Sequence, residues 1–120
     1  MSQFWTNYAR VEKGTLVSLD EFTASAELKE EVKNGIRGMA LLILEIGREK
    51  LGKYEDWEGL IWELGRAGIL SPSLLGEVID VIRIALDPWK VDDDLLHSML
   101  VRIMEILEEV YFSLGGEKQS

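Results

Sequence analysis

Apolar residues recur along this chain at spacings of three and four, and no stretch sustains a strict alternation of apolar and polar positions. Helices bury a stripe at that spacing whereas half-buried strands alternate, so the pattern predicts an all-α protein. The first helix is expected from Gln3 to about Leu19, with Phe4, Tyr8, Val11, Thr15 and Leu19 along one face and Gly14 weakening its second half. The second has the clearest stripe: Leu28, Val32, Ile36, Met39, Ile43 and Ile46, opened near Thr23 or Ser25 and stopped near Gly52. Gly35 and Gly38 fall inside it. Each costs about 1 kcal/mol relative to alanine, which predicts the close approach of a neighbouring helix.

A third helix carries Trp57, Leu60, Ile61 and Leu64 on one face, with Gly68 as its C-cap. Ser71 then reads as an N-cap with Pro72 at the first helical position, opening a fourth helix through Leu75, Val78, Ile79, Ile82 and Leu86. Asp87-Pro88 ends it, because a proline pushes the residue before it out of helical geometry. The fifth runs from about Asp92 to Leu114 and buries Leu96, Met99, Leu100, Ile103, Leu107, Val110 and Tyr111. Long amphipathic helices joined by short loops predict an up-and-down bundle of four to five helices, one domain over residues 1–120, with a frayed tail at about 115–120.

Several helices hold more apolar surface than one stripe. Leu74, Val81, Leu95, Ile106, Trp5 and Trp62 lie beside the main faces, and Trp89 follows Pro88 in a loop. Leu74, Val81, Trp89, Leu95 and Ile106 are therefore the expected interface residues, and a homodimer or a partner helix is the natural use of the surplus.

Composition narrows the chemistry. With 47% hydrophobic and 29% charged residues the chain has the balance of a folded domain. It has no apolar run long enough to span a bilayer, and its start lacks a signal-peptide pattern, so no membrane association and a cytoplasmic location are expected. The absence of cysteine excludes disulfides, thiolate nucleophiles and cysteine zinc sites. Asn7, Asn34, Gln3 and Gln119 are its only amides, a bias that leans toward a thermophilic source. A net charge of −9 repels phosphate backbones and no basic cluster offsets it, so RNA is not an expected partner while a basic protein is a natural one.

One stretch asks for closer reading. Arg83, the triple aspartate Asp92 to Asp94 and the sole histidine, His97, fall close together in "RIALDPWKVDDDLLH". Asp93, Asp94 and His97 are spaced to share a helix face, as metal ligands can be, but carboxylates at a helix start cap free amides and complement the macrodipole, which is the preferred reading. Arg83 reads as an ion-pair partner of Asp80 or Asp87 or as a cation at a helix C-terminus. Tyr8, Tyr54 and Tyr111 have no adjacent base to make them nucleophiles, "GRAGIL" lacks the strand and lysine of a phosphate loop, and no metal or cofactor is expected.

The order of "LLILEIGREKLG", "WEGLIWELGRAGILSPSLLGEVIDVIR" and "VDDDLLHSMLVRIMEILEEVYFSL" resembles the HepT-like branch of the HEPN superfamily over roughly Asp20 to Leu114, most specifically in "LGRAGILSPSLLGEV" leading to "VIDVIR". The resemblance implies a dimerising four- or five-helix bundle. Active members of that family are metal-independent ribonucleases, toxins paired with small nucleotidyltransferase antitoxins. Their motif is an arginine, a polar residue, and a histidine after four to six intervening residues, often with a tyrosine two further on. Arg83 matches the arginine, but Ile84 stands at the polar position and Pro88 at the place of the histidine, with no tyrosine before His97. Proline cannot exchange a proton with an RNA oxygen as imidazole can. The expected function is therefore non-catalytic protein–protein interaction, as a homodimer and as partner of a small nucleotidyltransferase. Two alternatives stand beside it: a ribonuclease using Arg83 and a displaced His97, and a nucleotide-binding module with a pocket near Arg83.

Overall fold

A computed structural model describes residues 3–52 and 56–119. Among them the chain forms six α-helices and no strand: α1 (Gln3–Thr15), α2 (Leu19–Ala24), α3 (Ala26–Leu51), α4 (Trp57–Arg66), α5 (Leu75–Leu86) and α6 (Asp93–Ser113). Short 3-10 turns, Pro72–Leu74 and Pro88–Lys90, lead into α5 and out of it. The helical bundle expected from the apolar spacing is present.

The expected first helix is two. α1 ends at Thr15, whose hydroxyl donates back to the Glu12 carbonyl at 2.7 Å, and a new helix opens where Ser18 Oγ accepts the Glu21 amide at 3.2 Å. Ser18 and Glu21 have the spacing of a capping box, a local signal strong enough to restart the chain against the longer apolar pattern. Leu19 consequently opens α2 and stays 40% exposed, while Phe22 becomes the buried anchor of α2.

Side chains cap α3 and α4, whereas Ser71 and Asp92 make no side-chain cap bond. Ser25 Oγ accepts the Leu28 amide at 3.1 Å and starts α3, which Gly52 stops. Asp56 Oδ1 accepts the Gly59 amide at 2.6 Å at the head of α4. Gly68 takes the left-handed φ of 77° just past that helix, and the Ile69 amide reaches back to the Leu64 carbonyl at 3.0 Å, the reversal that glycine permits without a Cβ penalty. Ser71 precedes a 3-10 turn and makes no side-chain cap, bonding instead to Ser73 Oγ at 2.9 Å, so α5 starts only at Leu75.

α1, α3 and α6 form the frame of the bundle. α1 runs antiparallel to α3 at a distance only small residues allow: an alanine Cβ at Gly35 would lie 2.9 Å from the Asn7 carbonyl oxygen and 3.0 Å from Val11 Cγ2. α6 runs antiparallel to α1, with Phe4 stacked on Tyr111 at a centroid distance of 3.9 Å. α5 packs against α3, α4 and α6 together, which is why it buries Val81 as well as its main stripe. Val81 is 4% exposed, Ile106 1% and Trp5 4%, so the surplus apolar surface expected of these three belongs to the core.

The residues after α6 fold back toward α1. Gly115 adopts φ 87°, the Gly116 amide donates to the Tyr111 carbonyl at 2.8 Å, and the Trp5 indole donates to the Glu117 carbonyl at 2.9 Å. A C-terminal strap through residue 117 thus lies against Trp5 and Tyr111.

Candidate functional site around Arg83, His97 and the α5–α6 turn

Arg83 sits in the last turn of α5 with its side chain 55% exposed. Its guanidinium donates to Glu58 Oε1 at 2.9 Å and to Asp80 Oδ1 at 3.3 Å, and lies 5.8 Å from the ring centre of Trp57. Two carboxylates and an aromatic face occupy the cation, so it tethers the head of α4 to α5. The pairing with Asp80 was legible at i, i+3; Asp87 instead pairs with Lys90 at 3.4 Å. Glu58 and Trp57 carried no local signal, because they reach Arg83 only through tertiary packing.

His97 faces another way. Its Nε2 lies 3.1 Å from the carbonyl oxygens of both Gly14 and Val17, and its ring is 5.1 Å from that of Phe22. Both neighbours are acceptors, so Nε2 carries the proton and shares it between them. The imidazole therefore satisfies carbonyls left open where α1 ends, pinning the α1–α2 turn to α6. Arg83 and His97 have no partner in common. Arg83 contacts α4 and its own helix, whereas His97 Nε2 contacts the α1–α2 turn.

The triple aspartate divides its labour. Asp92 occupies the N-cap of α6 without a side-chain cap bond, and Asp94 Oδ1 accepts the Leu95 amide at 2.9 Å. Asp93 does something the sequence did not signal: it takes Lys33 Nζ at 3.0 Å and Lys29 Nζ at 3.1 Å, fastening α6 to α3. Among the described residues Lys33, 8% exposed, is the charged side chain buried with the core, and Asp93 is what makes that burial tolerable. Among the described residues no group of three potential ligands is arranged to hold a metal ion.

The hydrogen bond from Lys33, aided by Lys29 and by both ammonium charges, holds the Asp93 carboxyl below its usual range against the opposing effect of burial. A carboxyl depressed by folding stabilises the fold above its unfolded pKa of about 3.9, and that stability is lost as pH falls through the lower folded value. Asp93→Asn is thus expected to cost about 2 kcal/mol near neutral pH, with the difference from the parent protein shrinking as pH drops below about 4. Denaturant midpoints measured across that range check this; a pH-independent difference would mean the carboxylate charge is not what matters.

No family model, no curated protein and no solved structure matches this chain. Its site must be read from its own geometry.

The remaining expected interface residues separate by exposure. Leu74 is partly buried against the core, whereas Leu95 is 54% and Trp89 40% exposed. The Trp89 indole donates to Glu30 Oε1 at 2.9 Å, which ties the ring to α3. Arg102 grips Glu77 with two nitrogens, fixing the antiparallel register of α5 and α6. About two turns nearer the connecting loop, that register sets Leu95 opposite partly buried Ile84. An open cavity of ≈ 290 Å³ is lined by Gln3, Thr6, Asn7 and Arg10, all on α1, and does not include Arg83. Tyr54 lies outside the described residues. No helix among the described residues is long and apolar enough to cross a membrane.

Proposed function

We propose that this chain is a non-catalytic, HEPN-like helical protein that acts by binding other proteins, as a homodimer and as the partner of a small nucleotidyltransferase. One observation carries the reading: Arg83 and His97, the side chains a ribonuclease would need, are each committed to separate structural contacts, while Trp89 and Leu95 beside them stay open. Exposed aromatic and aliphatic anchors at a rigid turn are what an interface uses, and a fixed indole loses little entropy on binding. The nucleotidyltransferase rests on the sequence resemblance alone.

Sedimentation of the purified protein tests the self-association. A dimer is expected, with Leu95→Asp raising its dissociation constant by about tenfold or more, since a charge would be buried unpaired. A monomer at about 100 μM, or a dimer indifferent to Leu95→Asp and Trp89→Ala, contradicts it.

A further inference from the structure

A second unpartnered face lies between α1 and α6. His97 reaches Gly14 and Val17 of α1, and Phe112 approaches Trp5 with centroids 5.9 Å apart, so the α6 edge from His97 through Val101, Glu105 and Glu108 to Phe112 borders α1. On the α1 side the matching edge is Tyr8 and Glu12, continued by Leu16 in the turn just past the helix. The two ends are apolar and open: Leu16 is 78% exposed and Val101 56% at one, Phe112 39% at the other. Between them burial, and next the carboxylate charges of Glu108, Glu12 and Glu105 gathered around it, push the Tyr8 hydroxyl above its usual range. Arg102 offsets Glu105 at 3.3 Å; among the described residues Glu12 and Glu108 have no ion-pair partner.

We propose that this groove binds an amphipathic helix of a basic partner protein, with Leu16 and Val101 taking one apolar side chain, Phe112 another, and Glu12 and Glu108 the lysines or arginines between. Val101 and Phe112 stand about three turns apart, roughly 16 Å along the axis, so the partner's apolar anchors repeat at that interval. The charge argues for a different chain over a second copy: a two-fold contact on this face would set the glutamates against their own kind in a molecule already at −9. This deepens the binding-protein reading above and rests on it, while using a face distinct from the Trp89–Leu95 turn.

The test is a nuclear magnetic resonance titration of the ¹⁵N-labelled protein with a synthetic alanine-based helical peptide bearing two leucines about three turns apart on one face and lysines between them. A counterpart with glutamates in place of the lysines is run beside it. Binding in the tens of micromolar is expected, with amide shifts along Leu16, Val101 and Phe112 and at least about tenfold weakening for the glutamate peptide and for Val101→Asp and Glu108→Lys. Equal binding of both peptides, or none at about 1 mM, overturns the groove. Shifts confined to Trp89 and Leu95 overturn it while leaving the binding-protein reading in place. Self-association abolished by Val101→Asp assigns the face to a second copy and overturns the basic partner. A protein that takes neither peptide nor a second copy of itself removes both readings.

Discussion

Phe22→Ala is expected to lower the unfolding free energy by about 4 kcal/mol. Phe22 is fully buried, the one buried side chain of a six-residue helix, and it packs beside Gly14 and against the His97 ring. A helix that short has no stability of its own in water. Removing its anchor leaves a cavity, releases α2 and loosens the α1–α2 turn that His97 holds, so the loss falls at the upper end of large-to-small core changes. Against a total stability of about 5–15 kcal/mol, urea unfolding will detect it easily. Phe112→Ala makes the same chemical change at a ring 39% exposed and is expected to cost under about 1.5 kcal/mol. Equal costs at the two positions would mean that burial of Phe22 is not what holds α2.

The second large effect is at Gly35, where Gly35→Val is expected to cost about 3 kcal/mol. A Cβ there meets the Asn7 carbonyl oxygen at 2.9 Å and the Arg10 Cβ at 3.0 Å, parts of a neighbouring helix that move only if α1 as a whole moves. Gly38 provides the control. Its nearest obstacles are the amide atoms of the Asn7 side chain, the closest at 2.6 Å, and that exposed amide can swing aside. Gly38→Ala therefore gains helix propensity of up to about 1 kcal/mol less a small cost for the displaced amide, leaving stability within about 0.5 kcal/mol of the parent or above it. Two glycines of the same helix thus separate into one that spaces the backbones and one that is replaceable. Thermal unfolding of both variants decides it, and a neutral Gly35→Val would contradict the close α1–α3 packing.

Local signals were the legible ones. The apolar stripes of α3, α5 and α6, the Gly68 reversal and the Asp87-Pro88 stop act over one or two turns, and the structure keeps each of them. The break between α1 and α2 was legible too, in the spacing of Ser18 and Glu21, but the longer apolar repeat through Leu19 obscured it. What sequence alone could not supply were contacts between distant residues. Lys33 meets Asp93 only because α3 and α6 cross, and Val81 and Ile106 are buried only because α5 has neighbours on three sides. Polarity said that Arg83 and His97 were worth attention; only their partners showed what each is occupied with.

Those partners also say what His97 and Arg83 each do for the fold. Gly14 and Val17 present carbonyls where α1 ends, and an imidazole N–H from α6 satisfies both at a position where water would otherwise have to. Glu58 and Asp80 neutralise Arg83 on the surface of α4 and α5, in a molecule with carboxylates to spare.

The central claim is most directly tested by incubating the purified protein with single-stranded RNA in the absence of divalent metal, beside Arg83→Ala and His97→Ala proteins verified as folded. The account predicts no cleavage above the buffer control from any of the three. Cleavage by the parent protein that both substitutions abolish would contradict it and make this chain a ribonuclease.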